Sequence, residues 1–233
     1  MKKYIFVCIV FLTFSLISSV SAQKIKIGVL GGPNFADMNL KSESGEDQTT
    51  SSQTYFGIGG TADFQIGPFF NVQVEPMYLR KGGRVMASNG DPNIDIKMSF
   101  LEIPVFLKFA FGQIVQPYVK AGPTIGFLLN STAEAEIGSP GSAPVPYEAD
   151  LKNVLESMDI GLGVGAGVTI PFGNNSLFVD GRYTFGLTDL YKGGSLVWKS
   201  GSDSFTVEAS EAAELSNKGI QIMLGILFPI GLQ

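Results

Sequence analysis

The chain has 233 residues, of which 45% are hydrophobic, 16% are charged and none is histidine. The lack of histidine excludes a histidine-based catalytic triad, an imidazole general base and a histidine-ligated metal. The single cysteine, Cys8, excludes an intramolecular disulfide and cysteine-cluster metal sites. The charged fraction lies below the roughly 25% of ordinary soluble domains, and the 29 glycines are far more than usual. This composition is not typical of a soluble enzyme.

The N-terminus has the pattern of an export signal. Two lysines precede an apolar run over residues 4–17, and Val20 and Ala22 supply the small residues of a cleavage site. The alternative, an N-terminal membrane anchor, is disfavoured because the run is shorter than the ~20 residues of a spanning helix. We therefore predict a cleaved signal peptide at 1–22, which leaves residues 23–233 as the mature chain.

After the signal, apolar residues recur with a period of two, which is the side-chain repeat of a β-strand. The clearest segment is 159–170, where every second residue is aliphatic and the positions between hold Asp159, glycines and Thr169. A helix would scatter these apolar residues around its axis. The segment is therefore predicted to be a strand with one apolar face and one face of very small side chains.

The same pattern predicts eight strands, each about long enough for the ~9–11 residues that a tilted strand needs to cross a bilayer. The connections between them alternate between short, turn-rich segments and long polar ones. These features predict that 23–233 is a single outer-membrane β-barrel domain. The predicted fold is all-β, an eight-stranded antiparallel up-and-down transmembrane β-barrel with short periplasmic turns and long extracellular loops. The predicted strands cover 24–34, 53–67, 70–78, 101–109, 119–127, 159–170, 177–185 and 220–228.

The alternative fold is a soluble β-sandwich or lipocalin-like barrel, whose apolar face would point inward. That arrangement would place the strand glycines against solvent, where they weaken a strand. With the apolar face against lipid, the glycine face lines a narrow interior that has room only for small side chains.

In the fourth long loop, 195–200 and 205–208 flank a turn and predict a projecting hairpin that carries Trp198. The spacing of Leu151 and Leu155 predicts a short helix in the third loop.

The strand faces predicted to point inward also carry acidic and basic residues in nearly equal numbers. Lys26 is one of the basic residues. An unpaired buried charge costs several kcal/mol, so we predict a mutually neutralising network that closes the lumen. Paired carboxylates such as Glu75 and Glu102 could do acid–base chemistry, but interior salt bridges are the preferred interpretation. The members of the predicted network are Asp63, Glu75, Glu102, Lys108, Lys120, Asp159, Asp180 and Arg182.

Several motifs together resemble one family. They are Val74-Glu75-Pro76-Met77-Tyr78, Leu101-Glu102-Ile103-Pro104, the alternating glycines after Asp159, and Asp180-x-Arg182-Tyr183. Over nearly the whole mature chain, the sequence is similar to the PorT-like outer-membrane β-barrel domain of Bacteroidetes, among the OmpX-like small barrels. The resemblance implies a bacterial outer-membrane location, with membrane lipid and the barrel-assembly machinery as partners. One member of that family is needed for type IX secretion.

Two features depart from the usual barrel pattern. Pro76, Pro104 and Pro123 lie within predicted strands, where each removes a ladder donor. Because the resembling family shares them, we interpret these prolines as bulges or kinks. The chain also ends without the terminal aromatic residue that assembly machinery usually recognises, and Phe228 is the nearest substitute.

The function expected from these features is non-enzymatic. We expect an outer-membrane barrel, plugged by polar side chains, whose long loops interact with other envelope proteins or with external partners. The alternative is an accessory subunit of an outer-membrane secretion or assembly complex of the type IX kind, and a more distant one is a small-solute channel. Eight strands leave an interior just wide enough for side chains to fill, which disfavours a general pore. No catalytic, cofactor-binding or metal-binding residues are predicted, and the net charge of −5 disfavours nucleic acid as a partner.

Overall fold

The computed structural model describes residues 24–41, 48–86, 93–138, 143–209 and 214–230, so the predicted signal peptide lies outside the described residues. Among them, no helix is long and apolar enough to cross a membrane. They form one sheet of thirteen strands. The strands are β1 (Ile25–Lys41), β2 (Thr50–Ser51), β3 (Gln53–Gln65), β4 (Phe70–Val74), β5 (Met77–Val85), β6 (Ile94–Ala110), β7 (Gln116–Ile137), β8 (Val145–Asp150), β9 (Met158–Phe172), β10 (Asn175–Gly186), β11 (Gly194–Ser200), β12 (Asp203–Ala209) and β13 (Glu214–Ile230).

The antiparallel strand pairings form a continuous ring. β1 pairs with β3, β3 with β4 and β5, and these two with β6. The succession continues through β7, β9, β10 and β13. β13 then pairs with β1, from Ile25 opposite Ile230 to Lys41 opposite Glu214. Because the first and last strands pair, this part of the sheet has no free edge, which is the arrangement of a β-barrel.

The described residues form thirteen strands where the sequence pattern predicts eight, for two reasons. β4 and β5 are consecutive parts of one line, interrupted only beside Pro76, which has no N–H to give to the ladder. Their register against β6 is the same on both sides, with Val74 opposite Val105 and Met77 opposite Glu102. The second reason is that β2, β8, β11 and β12 lie in the long connections, outside the ring.

The interpretation of the strand prolines as bulges is wrong. The ladders keep one register through Pro104 and Pro123, and the shift in the β6–β7 ladder lies between Ser99 and Phe100. A proline loses its donor but keeps its carbonyl acceptor. The amide of Glu75, for example, donates to the carbonyl of Pro104 at 3.1 Å. The prolines therefore interrupt hydrogen bonds without inserting a residue into a strand.

The connections differ in length at the two ends of the ring, as the sequence predicts. The short ones are 66–69, 111–115 and 173–174, and they lie at the end where β1 begins and β13 finishes. Gly173 has φ +61°, a left-handed conformation that favours glycine in a two-residue turn. The longer connections all lie at the opposite end, here called the loop end.

The two faces of the strands are also oriented as predicted. Along β9, the aliphatic side chains are mostly exposed, whereas Asp159, Gly161, Gly163 and Thr169 are buried. The outward face of the ring is a belt of large apolar residues, which is the surface that lipid solvates and water does not. Members of this belt include Ile27, Val29, Phe56, Ile58, Tyr78, Leu101, Leu107, Val119, Ile125, Ile160, Val164, Val179, Tyr183, Ile220 and Leu224.

The loop end has an apolar core of its own, here called the cap cluster. The predicted hairpin is present as β11 and β12, with Trp198 opposite Phe205. The predicted short helix is wrong: the amide of Leu155 donates to the carbonyl of Leu151 at 3.0 Å, and this single turn is not continued. The buried members of the cap cluster are Met38, Met98, Phe100, Ala133, Ala135, Ala149, Leu151, Val154, Leu155, Leu190, Trp198 and Leu215.

Candidate functional site: the charged interior

The middle of the interior is crossed by an arginine that comes from β10. Arg182 has no exposed side-chain surface, and its Nη1 pairs with Oε2 of Glu75 on the opposite side of the lumen. Its Nε donates to Oε1 of Gln221 at 2.7 Å. A planar guanidinium can satisfy several acceptors at once, which suits it to a buried position between two strands.

Lys120 extends this group to β7. Its Nζ lies 3.1 Å from Oε1 of Glu75 and 2.7 Å from Oδ2 of Asp180, and all three side chains are fully buried. The hydroxyl of Tyr118 donates to the same Asp180 oxygen at 3.0 Å. Glu75, Lys120, Asp180 and Arg182 therefore form a neutral group of two carboxylates and two cations, here called the middle group.

A second, smaller group lies nearer the short turns. Nζ of Lys108 is 2.8 Å from Oδ2 of Asp63, and Asn71 donates to the other oxygen of that carboxylate. Lys26 lies on the neighbouring strand β1, and its Nζ donates to the hydroxyl of Ser176 at 3.2 Å. Asp63 thus links β3 to β4 and β6, and Lys26 links β1 to β10, both from the inside.

A third group lies nearer the loop end. Lys81 pairs with Glu102, and its Nζ is also 3.1 Å from Oδ2 of Asp159. Nδ2 of Asn217 donates to the same oxygen of Asp159 at 2.9 Å. Sequence reasoning missed Lys81 as a member, although it shares the inward parity of Glu75 on the same line of chain. The signal was present, but the predicted strand ended at residue 78.

The glycine face of β9 makes room for aromatic rings. A Cβ added to Gly163 would lie 2.9 Å from the Phe106 ring, and one added to Gly167 would lie 2.6 Å from Cζ of Tyr118. Gly165 instead makes room for the stem of a cation, since a Cβ added there would lie 2.8 Å from Cβ of Arg182. The two rings in turn face cations, because Nζ of Lys120 is 4.7 Å from the centre of Phe106 and Nζ of Lys108 is 4.2 Å from that of Tyr118.

The structure thus places all eight predicted interior residues inside the ring. Glu75 pairs with Lys120 and Arg182, whereas Glu102 pairs with Lys81. Asp180 and Arg182 lie two apart on one strand, yet Arg182 pairs with Glu75 and Asp180 pairs with Lys120. In the described part of the chain, no group of three or more carboxylate, histidine or cysteine side chains could hold a metal ion. What the geometry does is fill the lumen with paired charges.

A barrel with an apolar outer face and a charged interior is typical of outer-membrane proteins. Comparison with known protein families identifies the family of this chain. Residues 21–192 match the outer membrane protein beta-barrel domain, and the chain belongs to that family. The protein is therefore a protein of the bacterial outer membrane. The narrower PorT-like relationship stays a prediction. No protein with a curated description is significantly similar to the chain in sequence.

Solved structures share this fold at low sequence identity. A major outer membrane protein from Thermus thermophilus is 11% identical, with a TM-score of 0.52, over 90% of this chain and 100% of that one. Neisserial surface protein A is 16% identical, with a TM-score of 0.42 and coverages of 88% and 96%. The outer membrane protease OmpT from Escherichia coli is 10% identical, with a TM-score of 0.41 and coverages of 91% and 99%. At these similarities, nothing about catalysis carries over to this chain.

Proposed function

We propose that the protein is a sealed, non-enzymatic outer-membrane barrel that holds its long loops at the cell surface for contact with other proteins. Eight segments of the ring cross the membrane in this proposal: β1, β3, the line of β4 and β5, β6, β7, β9, β10 and β13. The belt of apolar side chains faces lipid, and the turns at the short end face the periplasm.

The observation that carries the proposal is the middle group. Arg182 and Lys120 reach from β10 and β7 to the same carboxylate, Glu75, on the far wall, and no side-chain surface of any of the three is exposed. The interior of an eight-stranded barrel is about wide enough for its side chains to fill. A lumen closed in this way supports an anchoring role and argues against the small-solute channel.

The surface that remains available for recognition is the loop end. β8, β11 and β12 extend the sheet beyond the ring, and the cap cluster stabilises this extension from within. Loops held by a rigid scaffold are where binding residues concentrate in proteins. Their expected partners are envelope or external proteins, and an accessory place in a secretion complex stays the alternative.

Cysteine labelling on whole cells tests this orientation. The only native cysteine lies in the predicted signal peptide, so single cysteines can be introduced at Ser202, in the hairpin turn, and at Asn174, in a short turn; both positions are exposed. We expect an impermeant maleimide to label Ser202→Cys on intact cells and Asn174→Cys only after the outer membrane is permeabilised. Labelling of Asn174→Cys alone on intact cells would mean that the loop end faces the periplasm.

A further inference from the structure

A small cavity lies inside the ring, beside Lys81 and Asp159 of the third charged group. It measures about 10 Å³, which is room for the centre of one particle the size of a water molecule. Apart from Phe185, the residues that line it are polar or small, and they come from β1, β5, β7, β9, β10 and β13. Among them are Asn34, Lys81, Thr124, Asp159, Thr184 and Asn217.

Three side-chain oxygens at this cavity have no donor. Oδ1 of Asn34, Oδ1 of Asp159 and Oδ1 of Asn217 accept no hydrogen bond from any described residue. The three residues are 2%, 2% and 3% exposed, so bulk water does not solvate these atoms. An unsatisfied buried acceptor is destabilising, and a cluster of three around one space points to a bound species.

The orientation of both amides follows from their donor bonds. Nδ2 of Asn34 donates to the carbonyl of Arg80 at 2.7 Å, and Nδ2 of Asn217 donates to Oδ2 of Asp159 at 2.9 Å. A flipped amide would set oxygen against oxygen in each case, so the Oδ1 atoms are the ones left over. The three Oδ1 atoms are therefore left without a donor among the described residues.

The charges beside the cavity are unbalanced. Lys81 carries one positive charge against the two carboxylates of Glu102 and Asp159. Lys218 also lines the cavity, but its Nζ is engaged by Asn39 at 2.7 Å and by Asp37 at 3.4 Å. The third group thus lacks one positive charge, whereas the middle group is neutral.

We propose that this cavity binds one dehydrated sodium ion. Carboxylate, amide and hydroxyl oxygens are the ligands that hard cations take. One monovalent ion supplies the missing charge, whereas a divalent ion would leave an excess beside Lys81. A water molecule has only two hydrogens to donate to the three acceptors and brings no charge.

Thermal unfolding in detergent tests the site, with NaCl exchanged for choline chloride at constant ionic strength. Choline is too large for the cavity. Above half-saturation, each tenfold rise in NaCl should raise the apparent unfolding temperature of the wild-type protein by about 3–6 °C, because the ion binds only the folded state. Asp159→Asn should abolish this dependence. Gly186→Ala should reduce it without changing a charge, since the added methyl would lie 3.2 Å from Oδ1 of Asp159.

Asp63→Asn is the matched control, because it removes a buried carboxylate from the second charged group, away from the cavity. This variant should unfold at a lower temperature but keep the wild-type dependence on NaCl. An equal response of the wild-type protein to NaCl and choline chloride would overturn the proposal, since it would indicate a water molecule or a protonated carboxylate instead. An unchanged NaCl dependence in Gly186→Ala and Asp159→Asn would also overturn it.

Discussion

Arg182 is the interior residue on which the middle group most depends. Replacing it with methionine keeps much of its volume but leaves Glu75 and Asp180 with only Lys120 as a cation. Removing one partner of a buried ion pair typically costs 3–5 kcal/mol. We expect Arg182→Met to lower the free energy of unfolding by about that amount, as measured by urea titration of the protein in lipid vesicles.

A second substitution identifies the true partner of Arg182. Because Arg182 contacts Glu75 and not Asp180, adding Glu75→Gln to Arg182→Met should recover more stability than adding Asp180→Asn. The first double variant leaves Lys120 and Asp180 as a neutral pair at 2.7 Å. Greater recovery with Asp180→Asn would show that the charge order in the lumen differs from the one described.

Gly167 of β9 and Gly181 of β10 allow a matched comparison. A methyl group at Gly167 would lie 2.6 Å from the Tyr118 ring and 2.5 Å from the carbonyl of Val179, whereas one at Gly181 meets nothing within 4 Å. Gly167→Ala should therefore cost about 1–3 kcal/mol in the same urea titration, and Gly181→Ala should be nearly neutral. Equal effects would contradict the inward packing of this face.

At this scale, strand parity predicts which residues face inward but not which of them meet. Successive inward residues of one strand point the same way, so Asp180 and Arg182 are neighbours without being partners. The partner of Arg182 is decided by distance across the lumen, which depends on the stagger of strands far apart in sequence. The alternation that points Glu75 inward also continues through Pro76 to Lys81, because that proline does not shift the register against β6.

Among the elements, the β11–β12 hairpin is the one least supported by the ring. Its link to β8 consists of Trp198 opposite Ala149 and Lys199 opposite Glu148. The ring of Trp198 stacks on Phe205 at 6.4 Å and is only 7% exposed, so its fluorescence reports on the cap cluster. It is also the only tryptophan in the chain.

We expect the cap cluster to unfold before the barrel. Segments with few ladder bonds open at lower free energy than the fully paired core. In a urea titration, the emission of Trp198 should shift to the red at a lower urea concentration than the one at which the circular dichroism of the β-sheet is lost. Coincident transitions would mean that the hairpin and the ring form one cooperative unit.

The elements also show where the sequence pattern stops being informative. β1 continues to Lys41 and β7 to Ile137, well beyond the alternating segments that predict them. Apolar alternation marks the part of a strand that faces lipid, while backbone pairing continues where both faces meet water or the cap. The hairpin was predictable because a turn separates two short alternating runs. The spacing of Leu151 and Leu155 instead suggested a helix, and Leu190 gave no signal, since the burial of these residues depends on contacts between loops.

For the whole molecule, the proposed seal of the lumen has two layers. The middle group crosses it with paired charges, and the cap cluster covers the loop end with buried apolar side chains. We therefore propose that the protein is a plug with surface loops and not a pore.

Ion conductance across planar lipid bilayers tests that claim most directly. Purified wild-type protein, inserted at a density confirmed by labelling, should give no steady conductance of porin size, because Glu75, Lys120 and Arg182 fill the narrow interior. A general porin reconstituted in the same way provides the positive control. A stable, large conductance from the wild-type protein would contradict the sealed barrel.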